Sequence, residues 1–580
     1  MDLAAKWVVL TTFRLWLAVW FIFTGSGSNN LTMYVVERVA RGHRYLYLVE
    51  SVREGKTVRQ RTIKALGRKD ALAASGELDR LAASIARHAE RSVILSDIDA
   101  GRIAARRIGG PLLFGRLWQR LGVDAVLEEV LEGRQFGFAV ERAVFVATLH
   151  RLFVSGSDRA CLDWMGSYAI DGSEDLALHH FYRAMAWLGE EIEEKAEGAL
   201  APRCVKDVIE EKLFDRRRDL FTDLSLVFMD TTSLSFYGAG GDTLGRRGHS
   251  KDHRPELAQM ILAVVIDAQG RPICTEMVPG NTADVKVLMP IVTRLRTRFG
   301  ITRSCVVADR GMISADTIAS LEELGMEYIL GARERTSSVI RDVVLNDTAP
   351  MVPLVLERQA GDTQLWVKEV RVGKGADAQR YVVTLNEAEA RKDKADRQAT
   401  IDGLQTQLKK GDKALVGNSA YRRYLKASGK TFEIDMGKLA DEARYDGISV
   451  LRTNARITPL QAVIRYRDLL QVEALFRVAK ASFDTRPIFH QSDAAIRGHV
   501  FVSFLALTLA KELTRLCQEK GFQPEWQPLL NDLDRLQEAT IEKDGKVITT
   551  RTHVSGQVGN VFKATGIALP ANISELPPQT

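Results

Sequence analysis

The sequence predicts an α/β protein, a mixed sheet with helices packed on it, and three observations carry that reading. Leu224 to Met229 is an apolar run broken only by Ser225, the pattern of a strand covered on both faces. Similar runs follow at Ala258–Ile266 (AQMILAVVI), Ile273–Val278, Cys305–Ala308 and Tyr328–Leu330, with helical segments at about 283–299 and 314–324. Strands in succession and then in alternation with helices describe a mixed sheet with flanking helices. Finally, two of the runs stop on an acid, Asp230 in VFMDTT and Asp309 in VVADRG. An unpaired carboxylate at the end of a buried strand costs several kcal/mol, so each of these acids needs a partner.

The elements before this region are of other kinds. Residues 1–32 hold an apolar leader, WVVLTTFRLWLAVWFIF from Trp7 to Phe23, with Arg14 in its middle and no small-residue cleavage site. MYVVERVARG, from Met33, reads as the opening of a folded domain, so the leader is expected to be a non-native start. A membrane anchor at residues 7–23 is the alternative, against a cytoplasmic, nucleoid-associated protein. In residues 33–74, YLYLVESVREGKTVRQRTIKAL alternates on both sides of REGK and predicts a β-hairpin. Its second strand carries Arg59, Arg61 and Lys64, a basic face suited either to a solvated edge or to DNA. Residues 75–220 show helical periodicity, as in FAVERAVFVATLHRLFVSG, and no strand alternation.

After the sheet region (221–335), residues 336–455 read mostly as strands, TQLWVKEVRVG and RYVVTLN among them, around a charged helix at about 387–410. This block is expected to be a separate β-rich insertion. Pro459 then opens a long helix to about Ser482, a second helix spans Ala494–Glu519, and 521–580 is left as a C-terminal tail after the 456–520 segment. At 580 residues the chain exceeds a single core, and 46% hydrophobic with 27% charged residues excludes a disordered chain. Eighty basic against 74 acidic residues leave only +6, so any polyanion-binding surface must be local. Cysteines at 161, 204, 274, 305 and 517 have neither zinc spacing nor an even framework and read as reduced thiols.

If the strands ending at Asp230 and Asp309 are neighbours, both acids emerge at one sheet edge, where they repel unless a cation neutralises them. Oxygen-ligated Mg²⁺ answers that need. A third acid is expected from the helix YRDLLQVEALFRVAK. There Tyr466, Glu473 and Lys480 are spaced by seven residues, about two turns, and share a face flanked by apolar Val472, Leu475 and Phe476.

Taken in order, MDTTSLSF, GHSKDHRPELAQMILAVV, VPGNTADV, VADRGMIS, EYILGAR and the Tyr466, Glu473, Lys480 stripe resemble DDE transposases of the bacterial insertion-sequence-4 superfamily, insertion-sequence-1634 branch. The likeness spans Met33 to about Leu516. It implies an RNase H-like catalytic core interrupted by a β-rich insertion, with Asp230, Asp309 and Glu473 as catalytic acids holding two Mg²⁺ (or Mn²⁺) ions. It also implies double-stranded DNA as partner, both terminal inverted repeats and target, bound by a homodimer on paired ends without a nucleotide cofactor. The family motif on the helix places an arginine where this chain has Leu469, with Arg465, Arg467 and Arg477 nearby. Tyr466, Arg477 and Lys480 are expected at the phosphate backbone, as are Arg246, Arg247, Lys251 and Arg254 in the loop GRRGHSKDHRPE. His249 and His253 in that loop lack further ligands at zinc spacing. Two rival functions share these residues: a metal-dependent nuclease without strand transfer, and a DNA-binding protein without chemistry.

Overall fold

The computed structural model of the chain describes residues 32–54, 57–86, 103–193, 199–218, 225–251, 253–332, 335, 337–354, 364–375, 378–409, 424–428, 431–478, 488–543 and 546–576. Residues 1–31 of the leader, Leu224 and Lys480 lie outside them. Among the described residues no helix is long and apolar enough to cross a membrane, and the five cysteines are buried and unpaired. The chain divides into two units, Met1–Asp99 and Ala100–Thr580.

The first unit is an antiparallel meander of β1 (Thr32–Ala40), β2 (His43–Glu54) and β3 (Thr57–Arg68), followed by α1 (Lys69–Ala74) and α2 (Glu77–Ala86). The expected hairpin is β2–β3. The sequence reading lacked β1, whose Tyr34, Val36 and Arg38 pair with Val49, Tyr47 and Tyr45 of β2. Arg59 and Arg61 stand opposite Val52 and Glu50, and strict alternation would turn Lys64 to the other face. A register shift at Leu48/Val49 sets Lys64 opposite Leu48 instead, so the extra residue, Ile63, returns Lys64 to the arginines' face. All three cations are exposed, and Arg61 is ion-paired with Glu50.

In the second unit β4 (Ile103–Arg107) leads into the helices α3 (Gly109–Arg120), α4 (Val123–Leu131), α5 (Val140–Phe153), α6 (Asp158–Met165), α7 (Leu178–Leu188) and α8 (Val205–Arg217). The sheet region follows with β5 (Leu226–Ser235), β6 (Gln259–Asp267), β7 (Pro272–Pro279), α9 (Leu288–Thr297), β8 (Cys305–Ala308), α10 (Ala315–Glu323) and β9 (Glu327–Gly331). Next come β10 (Val352–Leu354), β11 (Leu365–Val372), β12 (Gln379–Asn386), α11 (Glu387–Leu408) and β13 (Ile448–Thr453). The chain ends with α12 (Pro459–Arg467), α13 (Leu470–Arg477), α14 (Asp493–Glu519), α15 (Trp526–Arg535), β14 (Gln537–Lys543), β15 (Lys546–Arg551), α16 (Val558–Thr565) and β16 (Ile573–Leu576).

Nine strands form one mixed sheet in the order β10-β11-β12-β13-β9-β8-β5-β6-β7. Only β9–β8 and β8–β5 pair in parallel. Period-two alternation divides the two cores: Leu226, Phe228, Cys305 and Val307 pack with α13 and α14, and Val227, Met229, Val306 and Ala308 pack with α9 and α10.

Several expectations are corrected here. The strand expected to stop at Asp230 runs on to Ser235, because TTSLS continues the alternation and pairs with β6 along its length. Residues 336–455 are not a separate body, since β10 to β13 extend the central sheet through β13–β9 pairing. The region 75–220 is helical but for short strands, of which β4 pairs with β14. Residues 521–576 are consequently no tail: β14 to β16 complete that sheet, and Leu529, Leu533, Val561 and Phe562 are buried in the helical core. The long helix from Pro459 is interrupted between α12 and α13. Leu469, Gln471 and Val472 donate to the carbonyls three residues back, which tightens the turn around the buried Leu469.

A charge cluster ties α8 and α9 to β7. Arg294 lies 2.9 Å from Asp207, 2.6 Å from Glu210 and 3.1 Å from Glu276. Lys206 lies 2.6 Å from Asp207 and donates to the Thr275 carbonyl at 3.0 Å. Three acids thus share two buried cations, and losing one cation leaves charges that nothing compensates. Arg294→Ala is expected to reduce stability by about 3–5 kcal/mol, read as a lower denaturant midpoint at unchanged slope.

Candidate active site

The last paired residues of β8 and β5 are Ala308 and Met229, so Asp309 and Asp230 come next on adjacent strands. There β8 ends while β5 continues, and the acids occupy the notch left beside β5. By the alternation, Asp230 shares a face with Leu226 and Phe228, and Asp309 shares one with Cys305 and Val307. It is the face on which Val472, Leu475 and Phe476 of α13 pack.

Asp230 is 15% exposed at its side chain and accepts the Thr231 N–H at 2.7 Å. Lys251 Nζ approaches its Oδ1 to 3.9 Å and that of Asp284 (Oδ2) to 3.3 Å, while donating to the carbonyl and hydroxyl of Thr231 at 2.6 and 2.7 Å. Burial pushes the Asp230 carboxyl up to about 6; Asp309 and Glu473 add to the rise, and Lys251 and the Thr231 N–H oppose it. Asp309 is half-buried, heads the short 3₁₀ turn Arg310–Met312 and accepts the Tyr466 hydroxyl at 3.1 Å. Burial, and then the Asp309 charge, push the Tyr466 phenol above its usual value, which keeps it a proton donor. Its hydroxyl needs Gly331 beneath it, since a Cβ there would come within 2.3 Å.

Glu473 is exposed on α13 and lines a cavity of about 600 Å³ with Asp309, Tyr466 and Arg467, facing Thr384, Asn386, Glu389 and Ser449 on the far wall. The interrupted helix puts Tyr466 and Glu473 on different segments, so they converge on the cavity across a turn rather than along one straight stripe. Oxygen donors of this kind suit a hard divalent cation, which would reverse the rise in the Asp230 carboxyl. Among the described residues no three His, Cys, Asp or Glu side chains already stand within reach of a single ion.

The remaining candidates divide. Lys251 turns inward onto Asp230. Arg246 folds back onto the carbonyls of Asp242 and Gly245, and Arg254 pairs with Glu256 at 2.5 Å. Arg247 and Arg477 are exposed, and Lys480 lies outside the described residues. Sequence reasoning left three neighbours without a role. Asp284 stood unassigned in VPGNTADV, Arg467 lies two residues before the unexpected Leu469, and Glu389 gives no local signal because a distant strand pairing brings it in.

Comparison with known families gives the class first. Residues 222–509, from just before β5 into α14, match the transposase DDE domain, and residues 35–98 match the N-terminal domain of IS1634 family transposases. The chain belongs to the IS1634 family of DDE transposases and is an insertion-sequence transposase. A solved structure, the piggyBac transposase synaptic complex with hairpin DNA, is similar at 10% identity and a TM-score of 0.36, over 73% of this chain and 79% of that one. No curated protein matches.

A carboxyl raised from 3.8 to about 6 favours the folded state while protonated. That contribution is full below 3.8 and is lost as pH rises through about 6, so ionised Asp230 costs on the order of 2–3 kcal/mol at neutral pH. Asp230→Asn is therefore expected to raise the metal-free Tm by a few degrees at pH 7.5, and the gain should vanish near pH 4.

Proposed function

We propose that this transposase cuts the ends of its element and joins the freed 3′-hydroxyl to target DNA, as cut-and-paste phosphoryl transfer on an RNase H-like core. The reading rests above all on Asp230 and Asp309 standing side by side on the sheet face that α13 covers. Asp230, Asp309 and Glu473 would hold two Mg²⁺ or Mn²⁺ ions. When bound, such ions activate the attacking oxygen and neutralise the leaving one.

The chain's own residues set the geometry. Tyr466 fixes the Asp309 carboxylate through its hydrogen bond, and Lys251 compensates Asp230 and Asp284 while the site is free of DNA. Flexing of the tightened turn between α12 and α13 lets Glu473 move toward the two aspartates. Arg467 at the cavity wall, with Arg477 and Lys480 further along, holds the phosphate backbone near the scissile bond. Because the acids cannot themselves bind phosphate, cations at the rim are what orient it.

Double-stranded DNA is the partner, as terminal inverted repeats and as target, on a homodimer that pairs two ends, and no nucleotide cofactor is needed. The basic face of Arg59, Arg61 and Lys64, together with the helices before residue 220, is assigned to end binding.

Glu473→Gln is expected to abolish donor cleavage and strand transfer in Mg²⁺ while end binding persists. Cutting at the wild-type rate would move the third acid to Glu389 or Asp468, and cutting by wild type without joined products would reduce the protein to a nuclease. Without DNA, Mg²⁺ should raise the Tm of the wild-type protein and have little effect on Asp230→Asn.

A further inference from the structure

An aromatic pair lies outside the site just described. Tyr237 and Phe489 stack with ring centroids 5.1 Å apart and planes 6° from parallel, yet they are 63% and 61% exposed. Backbone bonds hold them there: the Tyr237 N–H donates to the Ile488 carbonyl at 3.0 Å, and the Ile488 N–H donates to that of Ser235 at 3.2 Å. Phe236 is buried beneath, and Gly240 must be glycine to sit on its ring, since a Cβ would come within 2.4 Å. Asp493, at the start of α14, accepts from the Thr243 and Leu244 N–H groups and so pins the loop that follows. The backbone beneath is thus tied down by hydrogen bonds while the two rings stay in solvent. Tyr182 of α7, 45% exposed, meets the neighbouring His490 edge-on at 6.2 Å and continues the aromatic surface.

Charge beside the rings identifies what they take. A cavity of about 890 Å³ is lined by Tyr237, Arg247, Arg254 and Glu256 among others. Arg254 is held by Glu256, whereas Arg247 has no ion pair or hydrogen bond among the described residues. Stacked rings with an open outer face and an unpaired guanidinium form the combination that binds a nucleobase and its phosphate. A duplex hides the faces of its internal bases, so the occupant is an unpaired base.

We infer that the Tyr237–Phe489 pair is a stacking platform for an unpaired base of a DNA strand, with Arg247 on the adjoining phosphate. The inference rests on the transposase reading and adds to it a second DNA contact away from the acids. Seven residues along the chain, mostly strand, separate Asp230 from Tyr237, so the platform lies roughly 20 Å from Asp230 at about 3.3 Å per residue. That corresponds to about six nucleotides at about 3.4 Å each along one strand.

The test uses the full chain with a fluorescein-labelled single-stranded oligonucleotide of about 12 nucleotides. A donor duplex carrying 5-iodouracil at one unpaired position about six nucleotides from the cut is used for crosslinking. Tyr237→Ala and Phe489→Ala should each weaken single-strand binding by about 5- to 100-fold, while Tyr237→Phe and Phe489→Tyr retain it. The crosslink should map to 237 or 489. Because both rings are exposed, the alanine variants should keep the wild-type Tm. Single-strand affinity indifferent to the rings, with donor cutting intact, overturns this inference alone. Self-association lost in the alanine variants, in place of DNA affinity, assigns the platform to a second copy of the chain and also overturns it. A wild-type protein that binds no DNA at all overturns the transposase reading and this inference with it.

Discussion

Two carboxylates on adjacent parallel strands, one residue past the end of their pairing, repel each other in a half-buried notch, where burial makes Asp230 resist ionisation. The surroundings of β5 and β8 answer that repulsion. Lys251 reaches in from the loop before β6 to meet Asp230 and Asp284, and Tyr466 donates to Asp309 across the space that Gly331 leaves open. Burial outweighs what Lys251 and the Thr231 N–H offset, and with Asp309 and Glu473 adding to the rise the Asp230 carboxyl still rests near 6. The protein carries this local instability where its chemistry is proposed, a common trade between stability and function. A divalent cation is the species proposed to remove it.

The rest of the sheet holds the notch in place. Helices α13 and α14 cover the face that bears the acids, and α9 and α10 cover the other, and the notch lies where β8 stops. Behind β7 the shared cations Lys206 and Arg294 fix α8 and α9 against the strands. The strands after α10 extend the same sheet and supply the far wall of the cavity, Thr384 and Asn386 from β12 and Ser449 from β13. The segment that reads as an insertion in sequence is therefore part of the site's architecture.

Strands whose two faces are both buried were legible because their apolar runs are continuous: β6, β7, β8 and β9 fall within a residue or so of the expected bounds. The pairing of Asp230 with Asp309 was legible for the same reason. What sequence left hidden depends on long-range pairing or on backbone irregularity. Nothing local says that β13 joins β9, or that β4 waits for β14, more than four hundred residues later. The bulge at Ile63 that gathers Arg59, Arg61 and Lys64 on one face is invisible to a count of alternation. The same holds for the turn at Leu469, where heptad spacing suggested a straight helix and a buried leucine tightens it. Lys251 looked like a surface cation in a basic loop, and only the fold shows it facing inward.

The central claim, that Asp309 is a metal ligand paired with Asp230, is tested most directly by changing the donor atom. Asp309→Cys replaces a hard oxygen with a thiolate, which disfavours Mg²⁺ and accepts softer ions such as Mn²⁺. The account predicts donor cleavage lost in Mg²⁺ and regained in part in Mn²⁺. Cleavage in Mg²⁺ at the wild-type rate by that variant would contradict it.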